Sequence, residues 1–189
     1  MVKTDHTVDA TGLSCPMPIV KARKAMNELE PGQVLEVIAT DKGSKVDIQA
    51  WAKSIGHQYL GTTEEDNDIM KHYVRKANEK EDGKVEQYDK IVDNDTLKKK
   101  LEDKSIQLVD VRENAEYVFG HIPGAKSIPL GELESRLNEL NKDEEIYVIC
   151  RSGNRSEMAC NMLKEKGFDK AFNVVPGMKD WTGPVEENN

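Results

Sequence analysis

A polar stretch from Arg75 to Asp89 divides the sequence, because it carries almost no apolar side chain that a core could bury. Gly83 lies near its centre, and a segment of this composition is typical of a linker. The 189 residues exceed what one small domain needs. We therefore predict two domains, at residues 1–77 and 90–189, joined by a linker at residues 78–89. No period of about 20 to 50 residues repeats, so the two domains are not copies of one fold.

The first domain shows apolar patterns in the order βαβαββ. Helical spacing of apolar residues marks residues 16–29 and the stretch between Ser44 and Gly56. Short apolar runs predict strands at residues 7–9, 34–39, 57–62 and 69–74. This order favours a two-layer α/β sandwich, in which two helices cover one side of a four-stranded sheet.

The second domain alternates strands and helices along the chain. Apolar runs predict strands at residues 106–111, 126–128, 145–149 and 171–175. Helices are predicted between them, at residues 113–119, around Leu133, Leu137 and Leu140, and from the turn at 150–154 to about Lys166. Such alternation is typical of an α/β domain with a central parallel sheet and helices on both faces. Ligands of these folds bind at the carboxyl ends of strands, and Cys150 follows the most apolar strand.

Charge and apolar patterning exclude several classes of protein. The net charge is −8, with Lys and Arg interspersed among acidic residues, so we expect no binding to DNA. No apolar run approaches the roughly 20 residues that a membrane-spanning helix needs. The N-terminus shows no signal-peptide pattern. We therefore expect a cytoplasmic protein without a membrane partner.

The three cysteines favour thiol chemistry over metal binding. Cys15, Cys150 and Cys160 are widely spaced and form no CxxC pair, which argues against a disulfide framework and a zinc site. The histidines show no metal-ligand spacing, so we expect no metal and no organic cofactor. Cys160 lies among apolar residues of a predicted helix and is interpreted as a packing residue rather than a resolving thiol.

Cys150 begins a short loop that suits a reactive thiol. Residues 150–155 lie between a buried strand and a helix, so backbone N–H groups and the positive helix end can converge on the sulfur. With Arg151 and Arg155 nearby, this setting favours a thiolate and would stabilise a persulfide or a bound oxyanion. The simpler alternative is a cysteine that ends a core strand, but a core would not tolerate two arginines without partners. The candidate catalytic residues are Cys150, Arg151, Ser152, Gly153, Asn154 and Arg155.

Cys15 lies just before a predicted helix. Pro16 falls in the first turn, where a missing N–H is harmless, so Cys15 is expected to face free backbone donors. Pro16 and Pro18 would keep the loop rigid, so that the sulfur projects outward and can be offered to another protein. In the alternative interpretation, Ser14 or Cys15 only caps the helix.

Residues 117–128 read Tyr-Val-Phe-Gly-His-Ile-Pro-Gly-Ala-Lys-Ser-Ile. Together with Asp110-Val111-Arg112, the Cys150 loop and residues 176–181, this pattern resembles the rhodanese family over residues 89–186. The resemblance implies a sulfurtransferase in which Cys150 takes up a sulfane sulfur as a persulfide. Phosphatases of this fold have a loop one residue longer, so the spacing from Cys150 to Arg155 favours sulfur transfer. We expect Asp110 and Arg112 to form a buried pair that supports the loop.

The segment from Asp9 to Pro18 contains the pattern Asp-x-x-Gly-Leu-x-Cys-Pro-x-Pro, and a Pro-Gly turn follows at residues 31–32. On these motifs, residues 6–77 resemble the TusA (SirA-like) sulfur-carrier family. Carriers of this type hold sulfur as a persulfide on the motif cysteine, here Cys15. The whole chain therefore resembles a fusion of a sulfur carrier with a single rhodanese domain.

These resemblances imply a relay. Cys150 would take sulfur from a small sulfane-sulfur donor, which could be thiosulfate, a polysulfide or a thiol persulfide. Cys15 would then receive the sulfur and deliver it to a protein or low-molecular-weight thiol acceptor. The linker would hold the two thiols at an effective concentration in about the mM range. The alternative is a non-catalytic redox or sulfide-sensing adaptor, whereas loop length disfavours a phosphatase.

Overall fold

The structure, a computed structural model, describes residues 1–78 and 88–188. The chain divides into two compact units, the first ending at Asn78 and the second running to Asn188. Most of the predicted linker at residues 78–89 lies outside the described residues. Each unit has its own sheet and its own core.

The first unit is a four-stranded sheet with two helices. Its elements follow the predicted order: β1 His6–Ala10, α1 Met17–Glu28, β2 Val34–Ala39, α2 Ser44–Ser54, β3 Gln58–Glu65 and β4 Ile69–Arg75. The strand order is β1-β2-β4-β3, with β1 parallel to β2 and the other pairs antiparallel. Buried residues of both helices, among them Ala22, Met26, Ile48 and Ala52, pack on buried residues of the sheet in one cluster. The expected two-layer sandwich is confirmed.

The second unit is built on a parallel five-stranded sheet in the order β5-β9-β8-β6-β7. Its strands are β5 Ile91–Val92, β6 Ile106–Asp110, β7 Lys126–Ser127, β8 Glu145–Ile149 and β9 Ala171–Val174. Its helices are α3 Asn94–Lys100, α4 Asn114–Val118 and α5 Asn154–Glu165.

The central strand of this sheet, β8, buries both of its faces. Ile146 and Val148 belong to one apolar cluster with α5 residues, and Tyr147 and Ile149 belong to another with Leu97 of α3. Alternate residues of a strand point to opposite faces, so the two clusters lie on opposite sides of the sheet. A strand buried on both faces is held in place by packing on each side. The backbone of Cys150, the next residue, is therefore well positioned.

Two features of the second unit differ from the sequence prediction. The segment with Leu133, Leu137 and Leu140 forms two short 3-10 helices, Leu130–Glu132 and Glu134–Glu139, instead of one α-helix, and the backbone of Arg136 within the second is not helical. Its leucines still contact the core. Strand β5 has only two residues, too few to show a periodic pattern, and was not predicted.

Candidate functional site

Cys150 lies directly after β8, at the carboxyl end of the sheet, and is 1% exposed. The backbone of the segment after β9 holds the start of its loop. Met178 N–H donates to the Cys150 carbonyl at 2.9 Å, and Lys179 N–H donates to the Arg151 carbonyl at 3.0 Å. The two residues that begin the loop are therefore hydrogen-bonded to a segment outside it.

Gly177 permits this close contact. Its φ of 83° is left-handed, and a Cβ there would lie 2.5 Å from the Cys150 carbonyl oxygen. The side chain of Asn94, at the start of α3, donates to the Gly177 carbonyl at 3.0 Å and accepts from its N–H at 3.3 Å. Only glycine fits this position without a shift of the backbone.

The Cys150 sulfur accepts hydrogen bonds from the loop and from the first turns of α5. Gly153 N–H lies 3.1 Å from Sγ, and the Ser156 hydroxyl lies 3.3 Å from it. Gly153 has a φ of 100° and occupies the N-cap position of α5. This left-handed backbone forms a tight turn between the loop and α5. The N–H of Gly153 faces the Cys150 sulfur, and α5 starts at the next residue. Of the loop N–H groups predicted to converge on Cys150, that of Gly153 contacts the sulfur.

Arg155 is held by a buried ion pair. Its two terminal nitrogens donate to the two Glu116 carboxylate oxygens at 2.7 and 3.0 Å. The Glu116 side chain is fully buried and also accepts from Glu113 N–H, closing a capping box at the start of α4. The sequence prediction placed Arg155 on the donor anion, whereas this geometry ties it to α4.

Asp110 and Arg112 form the buried pair that was expected beside the loop. The Arg112 side chain donates to both Asp110 oxygens at 2.6 to 3.0 Å and to the Gly120 carbonyl at 2.7 Å. Val111 N–H donates to the Ile149 carbonyl at 3.0 Å. The pair therefore stands next to the end of β8 and stiffens the sheet edge from which Cys150 extends.

The remaining candidates differ in exposure. Ser152 is 7% exposed, Asn154 is half-buried at the start of α5, and Arg151 is half-buried as well. Of the two loop arginines, Arg151 is thus the more accessible. Cys160 is completely buried, and burial, followed by the charge of Cys150, raises the pKa of its thiol. Its placement in the core cluster matches its interpretation as a packing residue.

Cys15 is exposed and lies in the turn before α1. Pro16 occupies the N-cap position of that helix, and Pro18 is buried. Where the sequence predicted facing N–H donors, the thiol instead interacts with a carboxylate. A hydrogen bond with Asp47 of α2, then desolvation and the charges of Asp47 and Asp41, raise the pKa of Cys15. Met17 and Val20, which follow on α1, are large apolar side chains exposed to solvent.

Sequence reasoning missed five residues of these two sites. Ser156, Glu116, Asn94, Asn173 and Asp47 contact the loop or the thiols, or hold a residue that does. Ser156 follows the predicted loop directly, so its position was a usable signal. The others lie far along the chain from their partners and carry no local pattern.

The described residues contain neither a metal-binding cluster nor a membrane-spanning helix. Residues 1–78 and 88–188 contain no group of three His, Cys, Asp or Glu side chains arranged to hold a metal ion. In the same ranges, every helix is too short or too polar to cross a bilayer.

Comparison with known proteins assigns both units to families. Residues 6–76 match the family described as Sulfurtransferase TusA, and residues 93–184 match the family described as Rhodanese-like domain. The chain is thus a sulfur-carrier unit fused to a rhodanese-like unit. It is 52% identical over 187 residues to "Putative sulfur carrier protein YrkF" of Bacillus subtilis, covering 98% of this chain and 100% of that protein. The chain belongs to this family of fused proteins, and the predicted resemblances are confirmed.

Each half also has its own relatives. Sulfur carrier protein TusA of Allochromatium vinosum is 48% identical over 65 residues, 34% of this chain and 86% of that protein. The crystal structure of a rhodanese-like domain protein from Staphylococcus aureus shares 40% identity with a TM-score of 0.50, covering 53% of this chain and 99% of that chain. These relatives support sulfur transfer as the general function and confirm the α/β fold.

Proposed function

We propose that Cys150 takes a sulfane sulfur from a small donor and relays it to Cys15, which delivers it to an acceptor thiol. The observation that carries this proposal is the Cys150 sulfur at a strand end, bonded by the Gly153 N–H and the Ser156 hydroxyl. Both donors favour negative charge on sulfur, which a nucleophilic thiolate requires.

In the first step, the Cys150 thiolate attacks the outer sulfur of the donor. A new S–S bond forms on Cys150, the S–S bond of the donor breaks, and the donor leaves with the electron pair, as sulfite when thiosulfate is used. Arg151 attracts the anionic donor, since it is the more exposed loop arginine. Arg155 acts indirectly, because its ion pair with Glu116 holds the end of the loop in place.

In the second step, the Cys15 thiolate attacks the outer sulfur of the Cys150 persulfide, and Cys150 leaves as a thiolate. The carboxylate of Asp47 raises the pKa of Cys15, so little Cys15 thiolate is present near neutral pH. We therefore expect Cys15 to load poorly from a donor in solution and to depend on Cys150. The effective concentration that a tether provides supports such transfer.

Mass spectrometry after incubation with thiosulfate or polysulfide tests the relay. The three cysteines fall on separate tryptic peptides, at residues 4–21, 143–151 and 156–164, so added sulfur of about 32 Da per atom can be assigned to each. We expect persulfide on Cys150 and Cys15 in the wild type and only on Cys150 in Cys15→Ser. Cys150→Ser should abolish loading of both, and Cys160→Ser serves as the matched control.

Three outcomes would change this proposal. If Cys15 loads equally in Cys150→Ser, the two units act independently. If no cysteine takes up sulfur from any donor, a non-catalytic sensing adaptor becomes the better description. If a mixture of the Cys15→Ser and Cys150→Ser chains restores loading of Cys15, transfer occurs between chains rather than within one.

A further inference from the structure

A buried chain of polar groups continues from the Cys150 sulfur to strand β9. The Ser156 hydroxyl lies 3.3 Å from Cys150 Sγ and 2.6 Å from Asn173 Oδ1. Asn173 Nδ2 donates to the Gly153 carbonyl at 3.1 Å. Ser156 and Asn173 are both completely buried. The loop, the first turns of α5 and strand β9 therefore meet behind the sulfur.

The orientation of the Asn173 amide follows from its partners. The Gly153 carbonyl can only accept hydrogen bonds, so it must face the amide NH2 group of Asn173. Reversing the amide would place two oxygens against each other at that contact. Asn173 Oδ1 therefore faces Ser156 and can only accept from its hydroxyl.

Ser156 has one hydroxyl proton and two neighbours that can accept it. When the Ser156 hydroxyl donates its proton to Asn173 Oδ1, its lone pairs face Cys150. The Ser156 oxygen can then accept a hydrogen bond from a neutral Cys150 S–H group. When the sulfur is a thiolate it can only accept, and the Ser156 proton must turn towards it. A hydrogen bond to a charged acceptor is stronger than one between neutral groups, so the turn is favoured once the sulfur is charged.

We propose that Ser156 is a positioning residue whose hydroxyl turns from Asn173 to Cys150 whenever the sulfur becomes a thiolate. Asn173 opposes this turn by competing for the same proton. The inference rests on the proposed function, because a sulfur relay makes Cys150 alternate between two states. Cys150 Sγ is charged before it takes up sulfur and after it gives sulfur away, and it is uncharged within the persulfide. No atom is transferred by the turn, since the proton stays on Ser156 throughout.

The test measures the pH dependence of alkylation at Cys150, followed on the peptide of residues 143–151. In Ser156→Ala we expect the midpoint of the alkylation profile to rise by about one pH unit, because the thiolate loses a charge-assisted hydrogen bond. In Asn173→Ala we expect the midpoint to fall, because the Ser156 proton is released to the sulfur. The double variant should behave like Ser156→Ala, and Ser156→Thr should retain most of the wild-type profile.

The other charged and titratable groups around the sulfur are the same in all of these variants. They include Arg151 on the loop, Cys160 and Glu157 on α5, the pair of Arg155 with Glu116 of α4, and the pair of Arg112 with Asp110 of β6. A difference between two midpoints therefore reports the Ser156 and Asn173 contacts. Thermal unfolding of each variant identifies any general loss of structure.

Opposite shifts in the two single variants are the signature of the rotating hydroxyl. A merely structural role would move both midpoints the same way or lower stability alone, and either result would overturn the inference. If Ser156→Ala does not fold, a rise in Asn173→Ala would overturn it by itself. The alkylation needs no sulfur donor, so the inference and the relay can fail separately. Sulfur uptake without these shifts would refute only the role of Ser156.

Discussion

Replacing Glu116 with Gln tests whether its buried ion pair with Arg155 holds the Cys150 loop, residues 150–155. The change keeps the size of the side chain but removes the charge that faces the Arg155 guanidinium at 2.7 and 3.0 Å. The Glu116 and Arg155 side chains are 0% and 10% exposed, so solvent replaces little of what is lost. Breaking a buried pair by removing one partner costs about 3 to 5 kcal/mol. For the isosteric amide we expect the lower end, about 3 kcal/mol.

Urea unfolding converts this cost into a midpoint. With a slope of about 1.5 kcal/mol per M, a loss of about 3 kcal/mol lowers the midpoint by about 2 M. The chain has two tryptophans, Trp51 in the first unit and Trp181 in the second, so fluorescence follows each unit separately. A Trp51→Phe background reports the second unit alone. We expect its midpoint to fall, and loading of Cys150 with sulfur to fall with it.

The matched control is Glu139→Gln, which breaks an ion pair of the same chemistry at the surface. Glu139 binds Arg136 at 2.6 Å, and the two side chains are 36% and 31% exposed. Exposed pairs contribute little to stability, so its urea midpoint should stay near the wild-type value. If Glu116→Gln moves the midpoint no further than this control, the pair does not hold the loop and the reasoning is refuted.

Three further predictions concern the Gly177 contact and the first unit. Gly177→Ala should lower sulfur loading of Cys150, because its Cβ would meet the Cys150 carbonyl at 2.5 Å; Gly131→Ala, with open space around it, is the control and should load normally. Asp47→Asn should lower the pKa of Cys15 and speed the alkylation of this thiol at pH 8 several-fold. The rate is measured on the peptide of residues 4–21, and an unchanged rate would contradict the assigned role of Asp47. Burial, then the charge of Lys45, lowers the pKa of His72 to about 4. The first unit should therefore lose stability as the pH falls from about 6.5 towards 4. Trp51 fluorescence should show this loss, and His72→Gln should remove it.

The His72 prediction follows from linkage with a definite sign. The unfolded chain binds a proton at His72 below about pH 6.5, whereas the folded unit does so only near pH 4. Between these values the unfolded state holds more protons, so stability rises with pH. In the folded unit, His72 is completely buried between the hydroxyls of Ser44 and Thr62, each 2.8 Å away.

Local chemistry explains why much of the fold could be predicted. The apolar spacing in α1 and α2 and the apolar run of β2 each lie within one short segment, and burial of those segments is what forms the core of the first unit. The segment of Leu133, Leu137 and Leu140 shows where this reasoning ends. Its leucines pack against the core as predicted, but its backbone forms 3-10 helices. The apolar pattern indicates which side chains are buried, and it does not distinguish an α-helix from short 3-10 turns.

Both candidate thiols could be identified from the sequence because each lies in a motif of consecutive residues. The Cys150 loop needs a strand end, a glycine and a helix N-terminus in order, and the Cys15 motif places its prolines around the cysteine. Backbone geometry of this kind is encoded within about ten residues, and a short segment of sequence therefore shows it.

The surroundings of the two thiols were decided only by the tertiary structure. Glu116 precedes Arg155 by 39 positions, Asn173 follows Ser156 by 17, and Asp47 lies on a different helix from the one that Cys15 precedes. Which partners meet depends on how helices and strands pack, and an isolated Glu, Asn or Asp carries no pattern that announces it. The sequence alone singled out Cys15 and Cys150 as the candidate thiols, because each lies in a motif of consecutive residues. Tertiary packing decided which side chains contact the two sulfur atoms or position their loops, because such contacts join distant parts of the chain.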